Sequence, residues 1–221
     1  MKTRSLFPLI VVLTLIMVAP SFSQMEFGVG IKGGINFGSL SFSPDRYPAA
    51  SGVTKSGKTG MMIGAVGELE FSKMFCVALE PTYCQNGENF EKGSAKEALT
   101  INTLNIPVLF KVKFLKGVIR PYAFAGPNLG IVLSANDHIE GVGAGTDGDT
   151  DVKSQTSSID FALDFGAGAE FNVTPKIGIT GDVRYSLGLS DMNNSTPTPG
   201  STATTVKTAG FQILFGVLFH L

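Results

Sequence analysis

A side-chain alternation of period two recurs over eight segments of this 221-residue chain, and the connections between them are long and short in strict turn. Period two marks strands with one apolar and one polar face. Segment 26–36 puts Phe27, Val29, Ile31 and Ile35 on one face and Gly28, Gly30, Lys32, Gly34 and Asn36 on the other. The same division recurs over 60–71, 74–85, 104–114, 158–171, 177–188 and 210–221. Segment 119–134 departs from it. Tyr122 and Phe124 share a parity with Arg120, whereas Leu129, Ile131 and Leu133 have the other, so a bulge near Gly126 and Pro127 is expected to switch the faces.

Short turns fall near Ser72 and Lys73, Leu115 to Gly117, and Asn172 to Lys176, while polar loops cover about 37–59, 86–98, 135–157 and 189–209. Four loops at one rim and three turns at the other suit a closed eight-stranded up-and-down barrel with both termini on the turn side. Outer-membrane barrels keep their periplasmic turns short, and strands of about 11 residues tilted by about 40° span an apolar band of roughly 25 Å.

The contents of the two faces decide which solvent the barrel meets. A soluble barrel would turn its Phe, Ile, Leu and Val inward, but eight strands enclose too narrow a bore for a full layer of such residues on every strand. Small and polar residues fit that space better, so the apolar face is expected to meet lipid. The fold class expected is therefore all-β, an eight-stranded antiparallel transmembrane β-barrel in the outer membrane.

The remaining composition agrees. Apolar residues make up 43% and charged ones 16%, with 27 glycines, which is too apolar for a disordered chain. Seventeen basic against 18 acidic side chains give no nucleic-acid footprint. Residues 1–23 open with Lys2 and Arg4, continue through LFPLIVVLTLIMVA and end in Ser21-Phe22-Ser23, the layout of a secretory signal peptide with cleavage expected before Gln24. Residues 24–221 then form a single barrel domain. Cys76 and Cys84, on one extended strand, would lie about 26 Å apart, beyond disulfide reach, and are read as sheltered free thiols.

Four stretches carry a family resemblance: LNIPVLFKVKF at 104–114, RPYAFAGPNLGIVLSA at 120–135, IDFALDFGAGAEF at 159–171 and DVRYSLGLSDM at 182–192. They resemble the outer-membrane β-barrel domain proteins of Bacteroidetes, often labelled PorT-like or porin-family. The resemblance implies a small barrel with no shared catalytic residues. The terminal GVLFHL is similar to the final strand that the barrel-assembly machinery reads, though it ends in Leu221 where an aromatic is commoner.

The chemistry-bearing residues collect on the inward face: Glu68, Glu70, Glu80, Asp160, Asp164, Glu170 and Asp182 with Lys32, Lys111, Lys113 and Arg184. Charge in a narrow bore is tolerable only when paired, so these residues are expected to form a salt-bridge network that fills the lumen, the alternative being a weakly conducting pore. Gly28, Gly30 and Gly33 start a G-x-G-x-x-G pattern but continue a strand with no helix after it, so they are strand glycines and no nucleotide or other cofactor is expected. Asp147-Gly148-Asp149-Thr150-Asp151 resembles the start of a calcium loop, but Val152 and Ser158 stand where its glycine and glutamate belong, so a solvated acidic loop is the reading. His138 is the only loop histidine, with Ser134 and Asp137 nearby in sequence, and the three are read as ordinary loop residues rather than as a catalytic group. Phe27, Phe71, Phe75, Phe171 and Tyr185 are candidates for interfacial aromatic girdles. The expected function is a structural or surface-interaction role in a monomer, with membrane lipid around it and a protein partner at the long loops. A small diffusion channel or a PorT-like secretion component is the alternative.

Overall fold

The computed structural model describes residues 25–45, 51–114, 117–141, 147–194 and 204–221. The expected signal peptide and most of the STPTPGSTATT segment lie outside the described residues. The strands are β1 (Glu26–Ser43), β2 (Thr54–Glu70), β3 (Phe75–Leu79), β4 (Thr82–Lys92), β5 (Ala95–Lys113), β6 (Ile119–Glu140), β7 (Gly148–Asp151), β8 (Ile159–Thr174), β9 (Ile177–Gly188) and β10 (Thr205–His220). A 3-10 turn, Lys153–Gln155, follows β7.

All neighbours pair antiparallel, and the ring closes through β1 with β10 and β5 with β6. Ten strands occupy eight positions. β3 and β4 form one barrel strand interrupted at Glu80 and Pro81, and β7 is a strip added to the outer end of β6. Pro81 has no N–H to give a ladder, yet its carbonyl accepts from the Ala65 amide at 3.0 Å and the Glu80 amide donates to the Pro107 carbonyl at 3.2 Å. Alternation therefore survives the break: Cys76, Ala78, Glu80, Thr82 and Cys84 are all buried. Both cysteines are free.

The outward face is the predicted one. Ile31, Ile63 and Phe215 are 68%, 64% and 65% exposed, and Phe27, Phe110, Phe161, Leu163 and Phe171 stand outward with them. This apolar belt around a polar interior is the arrangement that lipid, not water, stabilises. Among the expected girdle residues, Phe71 and Phe75 stack at the turn rim with centroids 6.3 Å apart, and Phe110 joins them.

Two expectations need correction. First, β6 has no face switch at Gly126 and Pro127. Its register against β8 runs unbroken from Ile119↔Phe171 to Ile131↔Ile159, because Gly126 allows a close approach in which a Cβ would meet the Val108 carbonyl oxygen at 1.9 Å. Tyr122 and Phe124 consequently point inward. The irregularity lies higher, where Leu133 is the extra residue between the pairs Asn102↔Ser134 and Thr103↔Val132.

Second, strand runs on into each of the four long loops. β1 runs on through 37–43 and β2 begins at Thr54; β4 and β5 continue to Lys92↔Ala95, where Gly93 (φ 61°) and Ser94 make the turn; β6 reaches Glu140. These extensions reverse the polarity of the lower barrel. Ser39 and Ser41 face out while Leu40 faces in, and inward Leu99, Ile101, Val132, Ala135 and Met192 join Leu40 in an apolar cluster flanked by Phe42, Val152 and Val206. Above the lipid belt the outside meets water, so burying apolar side chains inside becomes the favourable arrangement.

Candidate functional site

The lumen is where the charged residues converge, and the strand register sets which of them meet. At the turn rim, Lys113 contacts Glu68, Glu70 (3.1 Å) and Glu170 (2.9 Å), Arg120 pairs with Glu70 at 2.5 Å, and His220 Nε2 lies 2.8 Å from Glu170. One layer up, Glu80 takes three cations: Lys32 at 2.9 Å, Lys111 at 2.8 Å and Arg184 at 2.5 Å. Lys111 also reaches Glu68 at 3.2 Å, and Lys32 reaches Asp182 at 2.7 Å. Higher still, Asp164 lies 3.6 Å from Arg184 and accepts from Ser186 (2.6 Å) and Asn128 (3.1 Å). Asp160 accepts hydroxyl hydrogen bonds from Ser190 at 2.6 Å and Thr208 at 2.7 Å.

All eleven residues expected in the lumen are thus buried inside it, with Glu80 only 1% exposed and Lys111 and Arg184 each 2%. Ions so far from water are tolerated only with counter-ions and further hydrogen bonds, and removing one partner of such a set typically costs about 3–5 kcal/mol. The bore has room for these long side chains because small residues stand beside them. Lys32 is flanked across the ladder by Gly216 and Gly64, and a Cβ on Gly216 would sit 2.5 Å from Lys32 Cγ.

Several residues of the network escaped the sequence reading. Tyr122 donates to Asp182 at 3.0 Å and lies beneath Lys111, whose Nζ is 5.3 Å from the ring centroid; Phe124 lies 5.2 Å from the Arg184 guanidinium carbon. Their shared parity with Arg120 was the available signal. With Ala78 and Leu109 the two rings fill the space between the ion pairs.

Above the ion pairs a small polar void of about 10 Å³, lined in part by Asn105, Asn128, Asp160 and Gln212, has room for roughly one water. Above that, the apolar cluster borders a cavity of about 360 Å³ at the outer mouth.

The other candidate groupings do not converge. Asp137 is buried inward, while the partly exposed His138 bonds Asp149 through Nδ1 (2.7 Å) and Glu140 through Nε2 (2.8 Å); Ser134 accepts from Asn102. In the acidic segment, Asp147 accepts from the Gly141 amide and Asp151 from that of Lys153. Among the described residues no three His, Cys, Asp or Glu side chains are placed to hold a metal ion.

A lipid-facing belt, a closed ring of eight strand positions, and a charged core define a small outer-membrane β-barrel. The chain belongs to the family described as outer membrane protein beta-barrel domain, whose sequence profile matches residues 22–194, and its place is the outer membrane. No curated protein matches it. Among solved structures it is similar to Neisserial surface protein A, at 14% identity and a TM-score of 0.50 over 89% of this chain and 99% of that one. The N-terminal barrel domain of Pseudomonas aeruginosa OprF (14%, TM-score 0.41, 90% and 100% covered) and Ail of Yersinia pestis (15%, TM-score 0.43, 89% and 99% covered) also match. At such identities the likeness to Neisserial surface protein A is one of fold alone.

Proposed function

We propose that the protein is a sealed structural barrel whose work is done by the folded extension it carries above the membrane, in surface interaction rather than in transport or catalysis. The observation that carries this reading is the layer centred on Glu80, where three buried cations drawn from β1, β5 and β9 meet one carboxylate in the middle of the bore. A conducting lumen needs hydrated, mobile charge along its length, whereas these ions are held by one another. The long hairpins support a partner-binding role, because ordered strands present a fixed surface. The separation of Asp137 from His138 supports a non-enzymatic reading. Within the family, the stretches 104–114 and 182–192 support a place among the Bacteroidetes small barrels, as a monomer.

The test is planar-bilayer recording of the refolded mature chain. The expected result is no unitary steps for the wild type. Reproducible steps whose size changes in Lys111→Met would replace this reading with that of a small diffusion channel.

A further inference from the structure

Asp160 is the carboxylate that the ion pairs of the bore leave out. Of the seven acidic residues expected in the lumen, the other six each lie within 3.6 Å of a basic nitrogen. Asp160 meets hydroxyls instead, Ser190 on Oδ1 at 2.6 Å and Thr208 on Oδ2 at 2.7 Å, and no basic side chain pairs with it among the described residues. It is buried, and a charge so far from water needs a counter-charge.

A second observation gives that counter-charge a place. Asp160 lines the small polar void above the ion pairs together with Asn105, Asn128 and Gln212. Asn128 and Gln212 are 4% and 2% exposed, and Asn128 Oδ1 and Gln212 Oε1 have no donor among the described residues. Turning the Asn128 amide round would break the hydrogen bond from its Nδ2 to Asp164 at 3.1 Å, so the oxygen is the end left over. Asn105, Gly130 and Asp160 are ladder neighbours across β5, β6 and β8. A Cβ on Gly130 would sit 3.0 Å from Asn105 Oδ1 and 3.3 Å from Asp160 Cβ, so the glycine lets the amide oxygen and the acidic side chain share one space.

The donor set narrows the class of occupant. Oxygens alone suit a hard cation. Calcium takes about six to eight oxygens and magnesium keeps several waters of its own, whereas this void is about 10 Å³ and holds roughly one water-sized particle. One unpaired carboxylate balances one positive charge. A water would donate to two acceptors and still leave Asp160 without a counter-charge.

We propose that one dehydrated sodium ion is held in this void by Asp160 and by the amide oxygens of Asn105, Asn128 and Gln212. The inference does not rest on the surface-interaction reading: the ion completes a sealed bore, and in a conducting one it marks a stopping point on the path. Bilayer recording tests that reading separately, so either can fail alone.

The experiment is urea unfolding of the mature barrel in uncharged micelles, with sodium chloride exchanged for choline chloride at constant ionic strength and the heat-modifiable gel band reporting the folded form. Choline is too large for the void, and an ion taken up during refolding needs no route through the mouth. A ligand that binds only the folded state stabilises it progressively once its concentration passes the dissociation constant. The expected result is a urea midpoint that rises with the logarithm of sodium concentration. In Asp160→Asn the rise begins only at sodium concentrations about tenfold or more higher. Gln212→Met, which keeps the bulk and removes the amide oxygen, shifts the onset in the same direction and serves if Asp160→Asn does not fold. A wild-type midpoint that is the same in sodium and in choline would overturn the proposal and leave a water or a proton beside Asp160. A rise that begins at the wild-type concentration in either folded variant would overturn it too, by placing the sodium elsewhere.

Discussion

At the scale of single residues the lumen depends most on Glu80. Its carboxylate sits among Lys32, Lys111 and Arg184, each itself buried, so no water is at hand to take over if the negative charge is lost. Glu80→Gln keeps the shape and one hydrogen-bonding oxygen but leaves three cations facing a neutral amide. The expected outcome is a loss of about 3–5 kcal/mol of stability, read as a lower urea midpoint for the folded band in micelles. Glu26→Gln, at an exposed position on the same rim as the N-terminus, should leave the midpoint where it is. A Glu80→Gln barrel as stable as the wild type would mean that the cations are satisfied without the carboxylate. The charged partners themselves were legible from parity alone, since every one of the eleven sits opposite an apolar neighbour in its strand. What parity could not supply was distance across the bore. That Lys32 on β1 meets Glu80 beside β3 and Asp182 on β9 follows from ring closure and stagger, which no local pattern encodes.

At the scale of elements, the lower halves of the strands could be read because Phe, Ile and Leu alternate there with charge. The upper halves could not, because the alternation continues in a weaker code of Ser, Thr, Leu and Ala with its polarity reversed. Ser39-Leu40-Ser41-Phe42 and Leu99-Thr100-Ile101-Asn102 carry the period, but their polar residues and the adjacent glycines resemble loop composition. β6 departs from the expected faces for a related reason: inward aromatics violate the simple rule that bulk faces lipid, and the ion pairs around Tyr122 and Phe124 account for them. The strip β7 rests on backbone pairing to β6 and on His138, whose ring reaches Glu140 and Asp149. Hydrogen bonds to Glu140 and then Asp149 raise the imidazole above its ordinary value. A raised folded value means that the contribution is fully present below the ordinary histidine pKa of about 6.5 and is lost as pH rises through the folded one. The Gly148–Asp151 amides should therefore exchange faster at pH 8.5 than at pH 5.5, after correction for intrinsic rates, and His138→Phe should remove the difference. Equal protection factors at both pH values in the wild type would show that backbone pairing alone holds β7.

At the scale of the whole molecule, the barrel is two cores of opposite polarity stacked end to end, and the outside changes solvent where the inside changes chemistry. Substitutions on the outward and inward faces should then trade places along the barrel axis. Leu163, within the outward run of β8, faces the apolar belt, so Leu163→Arg should cost about 2–4 kcal/mol if it sits near the bilayer midplane. Ser41→Arg, also outward but above the belt, puts its charge into water and should stay within about 0.5 kcal/mol of the wild type. Leu40 is the inward neighbour of Ser41, and Leu40→Ala should cost about 2–5 kcal/mol by opening a hole in the upper cluster. Inward Ser186 lies beside Asp164, so the outcome of Ser186→Arg depends on steric fit in the bore rather than on burial of charge in lipid. Urea unfolding of the four variants, refolded into one lipid, measures all of this on a single scale. A Ser41→Arg penalty as large as that of Leu163→Arg would place lipid against the upper strands, and the reversal of polarity would then have to be explained without water on the outside.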